Sequence, residues 1–230
     1  MSLELRLRVL VEDYRQVNRE LTAWMRRKKS FQRNGVSDEF VMKYINEKIR
    51  MLRAERDVIK RRVEEVLKQH PLWSSYLSSM WGVPAVQAAM IIAYIRDPRR
   101  FPTVSKLWKF SGFAPGQGPH VGDKRYHVKL KTAVFQAVQA MMLAGSQRVR
   151  SLYRKLREQE DQKHPELRPA HRHMRAMRKL CKILLYCVWY VWSKQLGVNP
   201  PKPYAFDFLK HAESEFIPPE FFEEKKRASS

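Results

Sequence analysis

The chain has 230 residues, with 45 lysine or arginine residues against 23 aspartate or glutamate residues, so its formal net charge is +22. This length can bury a sizeable core, and the hydrophobic fraction of 44% is ordinary, which excludes a globally disordered chain. The charge excess predicts a polyanionic partner, with nucleic acid first and an anionic membrane surface second.

Glycine is scarce and helix-favouring residues are common, so we expect an all-α protein. Apolar residues recur at spacings of three and four over Leu3–Trp24 and again over Ile45–Val66. Asn34-Gly35 between these segments is a turn signal, and Pro71 ends the second one. The pattern predicts a long antiparallel helical hairpin, similar to a coiled coil, over residues 1–70.

The second helix of the hairpin is expected to start after Ser37, a residue type that suits an N-cap. Two interpretations of the hairpin remain open. In one, it dimerises with another copy or carries its basic residues as an arm. In the other, the two helices pack only on each other and their charges are solvated. We expect a homo-oligomer formed through these helices.

The stretch Met80–Pro115 is the centre of the prediction. Gly82-Val83-Pro84-Ala85 is a tight turn signal, and the apolar run Val86–Ile95 follows it at once, which predicts a helix-hairpin-helix. A glycine hairpin that opens a helix presents free backbone N–H groups, which suit a phosphate oxygen. The alternative is an ordinary core segment with a solvated basic rim. Basic residues follow within one short segment, at Arg96, Arg99, Arg100, Lys106 and Lys109.

The rest of the chain reads as one irregular loop, three helices and a tail. The loop Pro115–His127 is rich in glycine and proline, and such loops are often functional. Of the three helices, the last contains the apolar run Ile183–Trp192, which we expect to plug the core. The predicted domains are a hairpin arm (1–70), a helix-hairpin-helix domain (71–197) and a proline-punctuated strap with a loose tail (198–230).

Recognisable catalytic and cofactor motifs are absent from the sequence. It contains no P-loop, dinucleotide fingerprint, HExxH or nucleophile elbow. Between Gly82 and Gly145 the acidic residues are Asp97 and Asp123, too few for a two-metal centre. We therefore expect no cofactor and no metal, and the catalytic residues stay unknown. Three hydroxyls can each be argued as a nucleophile without support from spacing: Ser111, Tyr126 and Tyr153.

The cellular setting follows from the cysteines and the apolar runs. Cys181 and Cys187 lie on different faces of one predicted helix and show no metal spacing, which fits a reducing cytoplasm. The first residues mix acidic and basic side chains, unlike a signal peptide, and no apolar run reaches eighteen residues. We expect a cytoplasmic, nucleoid-associated protein with no membrane partner.

Three segments together resemble a known family: Gly82–Ala89, Arg100-Phe101 and Lys106–Pro115. They are similar to the C-terminal transposase domain of the Piv-like insertion-sequence transposases of the IS110/IS116/IS902 type, some of which are guided by a bridge RNA. The resemblance covers roughly residues 75–205 and implies a role in DNA transposition or recombination.

Two features of that family have no counterpart here. Its members carry an acidic RuvC-like domain, for which we expect this chain to have no room. They also carry a serine nucleophile in the glycine-rich loop, and Gly116–His127 contains no serine. The resemblance therefore implies nucleic-acid binding more strongly than catalysis.

We predict a DNA-binding protein that contacts chiefly phosphates, with weak sequence preference and strong salt dependence. Two alternatives stay open: an RNA-binding or scaffold module without catalytic activity, and a recombinase whose acidic residues come from another subunit. Backbone contacts are expected at Gly82, Ala85 and Val86. The expected charged contacts are Arg96, Arg99, Arg100, Lys106, Lys109, Lys124, Arg125, Lys129 and Lys131.

Overall fold

The computed structural model describes residues 2–35, 38–114, 126–203 and 216–224. Helix α1 spans Leu3–Arg33 and helix α2 spans Glu39–Lys68. The four consecutive basic residues at 26–29, which suggest an end to the first helix in the sequence, lie inside α1. The N-cap of α2 is Asp38, whose carboxylate accepts a hydrogen bond from the Val41 N–H at 2.9 Å, and Ser37 lies outside the described residues.

The two long helices form the predicted hairpin. Trp24 near the end of α1 meets Tyr44 near the start of α2, with ring centroids 6.0 Å apart. At the other end, Glu4 Oε1 lies 3.3 Å from Nε2 of His70. The helices therefore run antiparallel. The apolar residues whose spacing predicted the hairpin and that are buried are Leu7, Val17, Leu21, Ile45, Ile49, Leu52, Ile59 and Val63, and Val11, outside that spacing, is buried as well.

The remaining helices form the body of the protein, and the all-α prediction is confirmed. Apart from an isolated bridge between Met80 and Glu223, no β pairing occurs in the described part of the chain. The same residues include no helix that is apolar over a length sufficient to cross a bilayer. The helices are α3 (Pro71–Ser75), α4 (Ala85–Ile95), α5 (Val104–Phe110), α6 (Val128–Leu143), α7 (Gln147–Lys163) and α8 (Pro169–Gln195).

Helix α4 is the centre of the body, and it is apolar on every side because other helices cover it. Helices α1, α2 and α6 pack against it. One hydrophobic cluster joins Leu7 of the hairpin, Ile91 of α4 and Trp189 of α8. The apolar second half of α8 is buried as predicted. The hairpin thus shares its core with the body, and a domain boundary at residue 70 stays a prediction.

A short C-terminal segment, Phe216–Glu224, returns to the start of the body. The Tyr76 hydroxyl donates a hydrogen bond to the Pro219 carbonyl at 2.8 Å, and the Glu224 N–H donates to the Ser79 carbonyl at 3.1 Å. Phe222 is buried in the core. This segment therefore lies beside the turn that precedes α4.

Candidate nucleic-acid interface

The turn at Gly82 is closely packed against the end of α6. Gly82 has φ of +81°, a conformation that favours glycine. A Cβ atom at this position would lie 2.5 Å from Cβ of Ala144. The indole N–H of Trp81 donates a hydrogen bond to the Ala144 carbonyl at 2.8 Å. The backbone conformation and the close contact with α6 each require glycine here. The presence of glycine at this position is therefore explained without a ligand.

A carboxylate lies at the edge of the same turn. Glu224 lines a shallow depression together with residues 78–83. Its Oε2 accepts a hydrogen bond from the Ser146 hydroxyl at 2.5 Å, and its Oε1 accepts one from the Gln147 N–H at 3.1 Å. Glu224 therefore occupies the start of α7, where a negative charge is favoured, and its charge disfavours a second anion close to the turn.

The residues Arg96–Arg100, which we call the arginine turn, follow α4. Arg96 has φ of +64° and ψ of −54°, and the Asp97 N–H donates to the Ile95 carbonyl at 2.8 Å, which makes a γ-turn. This conformation is strained for a residue with a side chain. From the core, the buried Trp189 indole N–H donates to the carbonyls of Pro98 and Phe101 at 3.2 and 3.1 Å. The body thus fixes this strained segment at the surface.

The three arginines of this turn differ in how far they are neutralised. Arg99 donates to both carboxylate oxygens of Asp97 at 2.9 and 3.1 Å, and these bonds hold the pKa of the Asp97 carboxyl below its usual value. Arg100 donates to the Ile95 carbonyl at 2.9 Å, and its guanidinium lies 5.3 Å from the ring centroid of Phe101. Arg96 is exposed and forms no ion pair with any described residue. Within the described part of the chain, two of the three arginines thus have no carboxylate partner.

Lys106 and Lys109 of α5 are exposed and extend the same basic segment. Lys129 serves a different purpose, because its Nζ lies 2.6 Å from Oε2 of Glu12. Burial acts to raise the pKa of the Glu12 carboxyl, but the hydrogen bonds from Lys129 and Tyr94 outweigh burial, so the pKa is lowered. Lys129 therefore fastens α6 to α1. Lys124 and Arg125 lie outside the described residues.

Lys131 belongs to a group whose members are far apart in the sequence. We call this group the cation cluster: Lys131 of α6 with Arg178 and Lys182 of α8. All three side chains are half-buried. The Lys182 ammonium lies 4.1 Å from the ring centroid of Trp108, and the Lys131 ammonium lies 4.7 Å from that of Tyr126. In the described part of the chain, no carboxylate forms an ion pair with any of the three.

The pKa values of the cluster are lowered. Burial is the largest cause for both lysines, and the charge of Arg178 adds to it in each case. The pKa of Arg178 is lowered by burial and by the charge of Arg175, against the opposing charge of Glu160. Arg178 lies four residues before Lys182 on α8, which places the two side chains on the same side of that helix. The sequence carries one signal for the α8 part of this group, because Arg178 and Lys182 are four residues apart in a helical segment.

Two neighbouring cations on α8 are neutralised by contrast. Glu160 of α7 is 1% exposed, and its carboxylate lies 2.5 Å from Arg175 Nε and 2.5 Å from Lys179 Nζ. Burial acts to raise the pKa of Glu160, but the hydrogen bonds from Lys179 and Arg175 outweigh it, so the pKa is lowered. These three side chains form an ion-paired group that joins α7 to α8.

The hydroxyl groups considered as nucleophiles have structural contacts. The Ser111 hydroxyl is buried and donates to the Leu107 carbonyl at 2.8 Å. The Tyr153 hydroxyl lies 2.7 Å from Nδ1 of His173 and joins α7 to α8. The ring of Tyr126 lies against Gly112 and Lys131. No group of histidine, cysteine and acidic side chains suited to a metal ion occurs among the described residues. No catalytic residue is therefore assigned.

Residues 74–154 match the family model described as the transposase IS116/IS110/IS902 family. The match confirms the resemblance inferred from the sequence and supports a transposase-related role. It covers the Gly82 turn, the arginine turn, α5 and α6. A search of curated proteins found no significant match to this chain. The two α8 members of the cation cluster lie C-terminal to the matched segment.

Proposed function

We propose that this chain, whose residues 74–154 are of the IS116/IS110/IS902 transposase type, binds DNA through the phosphate backbone and takes part in DNA transposition or recombination. The observation that carries the proposal is the arginine turn. It is a strained surface segment, fixed from the core by Trp189, and it lies inside the family-matched region. Strain of this kind persists where the surrounding structure supports it and is concentrated at functional sites.

The charged contacts of the proposed interface are Arg96, Arg100, Lys106 and Lys109, with Arg99 available by exchange from Asp97. An exposed ion pair such as Arg99–Asp97 contributes little stability, so a phosphate can compete for the guanidinium. Phosphate contacts position a protein on DNA without reading its sequence, so we expect weak sequence preference.

The helix-hairpin-helix contact is the second part of this proposal. No side chain caps α4, because its N-cap residue is Pro84. The backbone N–H groups at Gly82, Ala85 and Val86 would then meet a phosphate oxygen. The carboxylate of Glu224 lies beside the turn, so we expect these contacts to be weaker than those of the arginine turn.

We propose that the protein acts in the cytoplasm in association with the nucleoid. We also propose that it forms a homo-oligomer through α2. A second apolar stripe lies on the exposed side of α2, and its member Tyr44 also touches Trp24 of α1. Phe40, Tyr44, Met51 and Val58 are 79%, 53%, 62% and 38% exposed. Their spacing of four, seven and seven residues places them on one side of the helix, which is the pattern of a coiled-coil seam.

The oligomer is tested by light scattering after size exclusion. We expect Met51→Glu to shift the wild-type oligomer to a monomer, because a carboxylate would be buried in the seam. Asn46→Glu adds the same charge at an exposed position away from the stripe and should leave the mass unchanged. A wild-type monomer at all concentrations would contradict this part of the proposal.

DNA binding is tested by fluorescence anisotropy on a labelled duplex over a range of salt concentrations, with folded RNA as a competitor. The variant Arg96→Gln/Lys106→Gln/Lys109→Gln should make the negative slope of log affinity against log salt shallower by about 0.9 for each phosphate that is no longer bound. The control Lys43→Gln/Arg50→Gln/Arg53→Gln removes the same charge from α2 and should retain the wild-type slope. Equal losses in both variants, or stronger binding of folded RNA, would contradict the proposed interface.

A further inference from the structure

The cation cluster is a concentration of unneutralised charge in a half-buried place. Lys131, Arg178 and Lys182 come from two packed helices, and the ammonium groups lie against Trp108 and Tyr126. No described carboxylate pairs with any of them. One turn away on α8, the comparable cations Arg175 and Lys179 share a buried carboxylate.

An arrangement of this kind lowers the stability of the folded protein. A charge that leaves water without a partner loses hydration, and the like charges repel one another. Arg178 cannot relieve this by losing its proton, because guanidinium stays charged in proteins. The same burial and repulsion lower the pKa of the Lys131 and Lys182 ammonium groups.

The aromatic contacts hold the cations in place without removing their charge. The Trp108 indole N–H donates to the Lys182 carbonyl at 3.0 Å, so the ring is fixed on α8 while its face meets the Lys182 ammonium. A cation–π contact of this kind attracts the cation but supplies no negative charge to neutralise it. The N–H donors of the ammonium and guanidinium groups therefore remain available to an anion.

We propose that the cation cluster is a binding site for a single phosphate group, separate from the arginine turn. Lys131, Lys182 and Arg178 would each donate to its oxygens, and Arg178 can do so with two parallel N–H bonds. The site rests on the proposed function, since a nucleic-acid strand supplies the phosphate. Because the site is half-buried, salt should screen its contacts less than those of the exposed arginines.

The chemistry of the cluster suits two kinds of phosphate on a strand. One is an internal phosphodiester, and the other is a terminal phosphomonoester, which carries a larger charge near pH 7. Anisotropy measurements on single-stranded DNA with a 5′-phosphate, the same strand with a 5′-hydroxyl, and a duplex distinguish these sources. A loss in the variants confined to the phosphorylated strand identifies the terminal group, whereas an equal loss on all three identifies the internal one.

The variants are chosen with a matched control on α8. Lys182→Met and Lys131→Met should each weaken binding about tenfold, the effect of losing one charge-assisted hydrogen bond. Lys194→Met on α8 removes the same charge outside the cluster and should change affinity by less than about twofold. Affinities equal to wild type for both cluster variants would overturn the proposal.

A thermal melt separates a binding role from a structural one. Because each cluster cation is half-buried and has no described carboxylate partner, Lys182→Met and Arg178→Met should raise Tm by about 2–4 °C while weakening phosphate binding. Inorganic phosphate should raise the Tm of the wild type above that in chloride of equal ionic strength, and this increase should be absent in both variants. A lower Tm in the variants with unchanged binding would make the cluster structural and overturn the proposal.

The two proposals fail in different ways. If the wild type binds DNA and the cluster variants bind it equally well, the phosphate site is wrong and the proposed function stands. If the wild type binds no nucleic acid but inorganic phosphate raises its Tm and not that of Lys182→Met, the site stands with free phosphate as its ligand. In that case the proposed function is wrong.

Discussion

Four cations on one short stretch of α8 show how differently neighbouring charges are treated by this fold. Arg175 and Lys179 share the buried carboxylate of Glu160, whereas Arg178 and Lys182 pair with no described carboxylate and Lys182 lies against the ring of Trp108. The residue types are the same, and the backbone positions alternate. What differs is the side chain that the opposite helix presents. The first pair therefore joins two helices, and the second pair remains available to a ligand.

The largest effect we expect comes from removing the shared carboxylate. Glu160→Gln would leave Arg175 and Lys179 without their partner and should lower the free energy of unfolding by about 3 kcal/mol. Chemical denaturation measures this loss directly. Glu158→Gln, an exposed position on the same helix, is the matched control and should be close to neutral. A Glu160→Gln protein as stable as the wild type would show that the two sets of cations do not differ as described.

A smaller effect should follow from disturbing the cation cluster through its aromatic support. Gly112 has φ of +73°, and a Cβ atom there would lie 2.4 Å from the Tyr126 ring. Gly112→Ala should therefore move Tyr126 away from Lys131 and lower the free energy of unfolding by about 1–2 kcal/mol. Gly197 also has a positive φ, but a Cβ atom there would meet no atom within 4 Å. Gly197→Ala therefore measures the cost of the backbone conformation without the contact. Only Gly112→Ala should weaken DNA binding.

A designed carboxylate should give the cation cluster an ion-pair partner like the one that Arg175 and Lys179 already have. Met174 is 52% exposed and lies four residues before Arg178, which is the favourable order for a Glu–Arg pair on a helix. Met174→Glu should raise the free energy of unfolding by about 0.3–0.5 kcal/mol and weaken phosphate binding. Met174→Gln controls for the change of shape. Tighter binding by Met174→Glu would contradict the account of the cluster.

The smallest effect we expect is a change of stability with pH, and it comes from two histidines. Unlike Arg178, these side chains can lose their proton. Nδ1 of His70 accepts a hydrogen bond from the Leu72 N–H at 3.3 Å, and Nδ1 of His127 accepts one from the Leu130 N–H at 3.0 Å. Burial is the largest cause that lowers the pKa of each ring below 6.5. In the window between the lowered pKa and 6.5, the unfolded chain binds more protons than the folded one.

The stability that these caps provide is therefore fully present above pH 6.5 and declines as the pH falls through the lowered pKa values. Chemical denaturation at a series of pH values from about 7.5 to about 5 would measure the decline, because this range spans the unperturbed histidine pKa of about 6.5. His127→Asn keeps an N-cap that does not titrate, so it should reduce the pH dependence. An unchanged pH profile in His127→Asn would assign the decline to other groups.

Much of the fold could be predicted from periodicity and turn residues. The hairpin, the turn at Gly82 and the buried run in α8 all follow from local patterns. The buried face of a helix appears in the sequence as apolar residues spaced three and four apart. The site could be predicted only in part. Lys129 and Lys131 look equivalent in the sequence, but Lys129 pairs with Glu12, which is 117 residues away.

The charged residues were the hardest to assign, for a physical reason. Glu160 lies in a run of charged residues that reads as a solvated face, and it is 1% exposed. Whether a cation is paired depends on the side chains of the helix packed against it, and local spacing does not report these. The cation cluster was missed because its members come from α6 and α8, which are far apart in the sequence.

The most direct experiment is to measure how salt changes the affinity for duplex DNA, for the wild type and for Arg178→Met/Lys182→Met. We expect a steep negative slope for the wild type. The double variant should bind more weakly, with a slope shallower by up to about 0.9 for each phosphate that is no longer bound. A double variant with the affinity and slope of the wild type would show that the unneutralised cations of α8 do not hold phosphate.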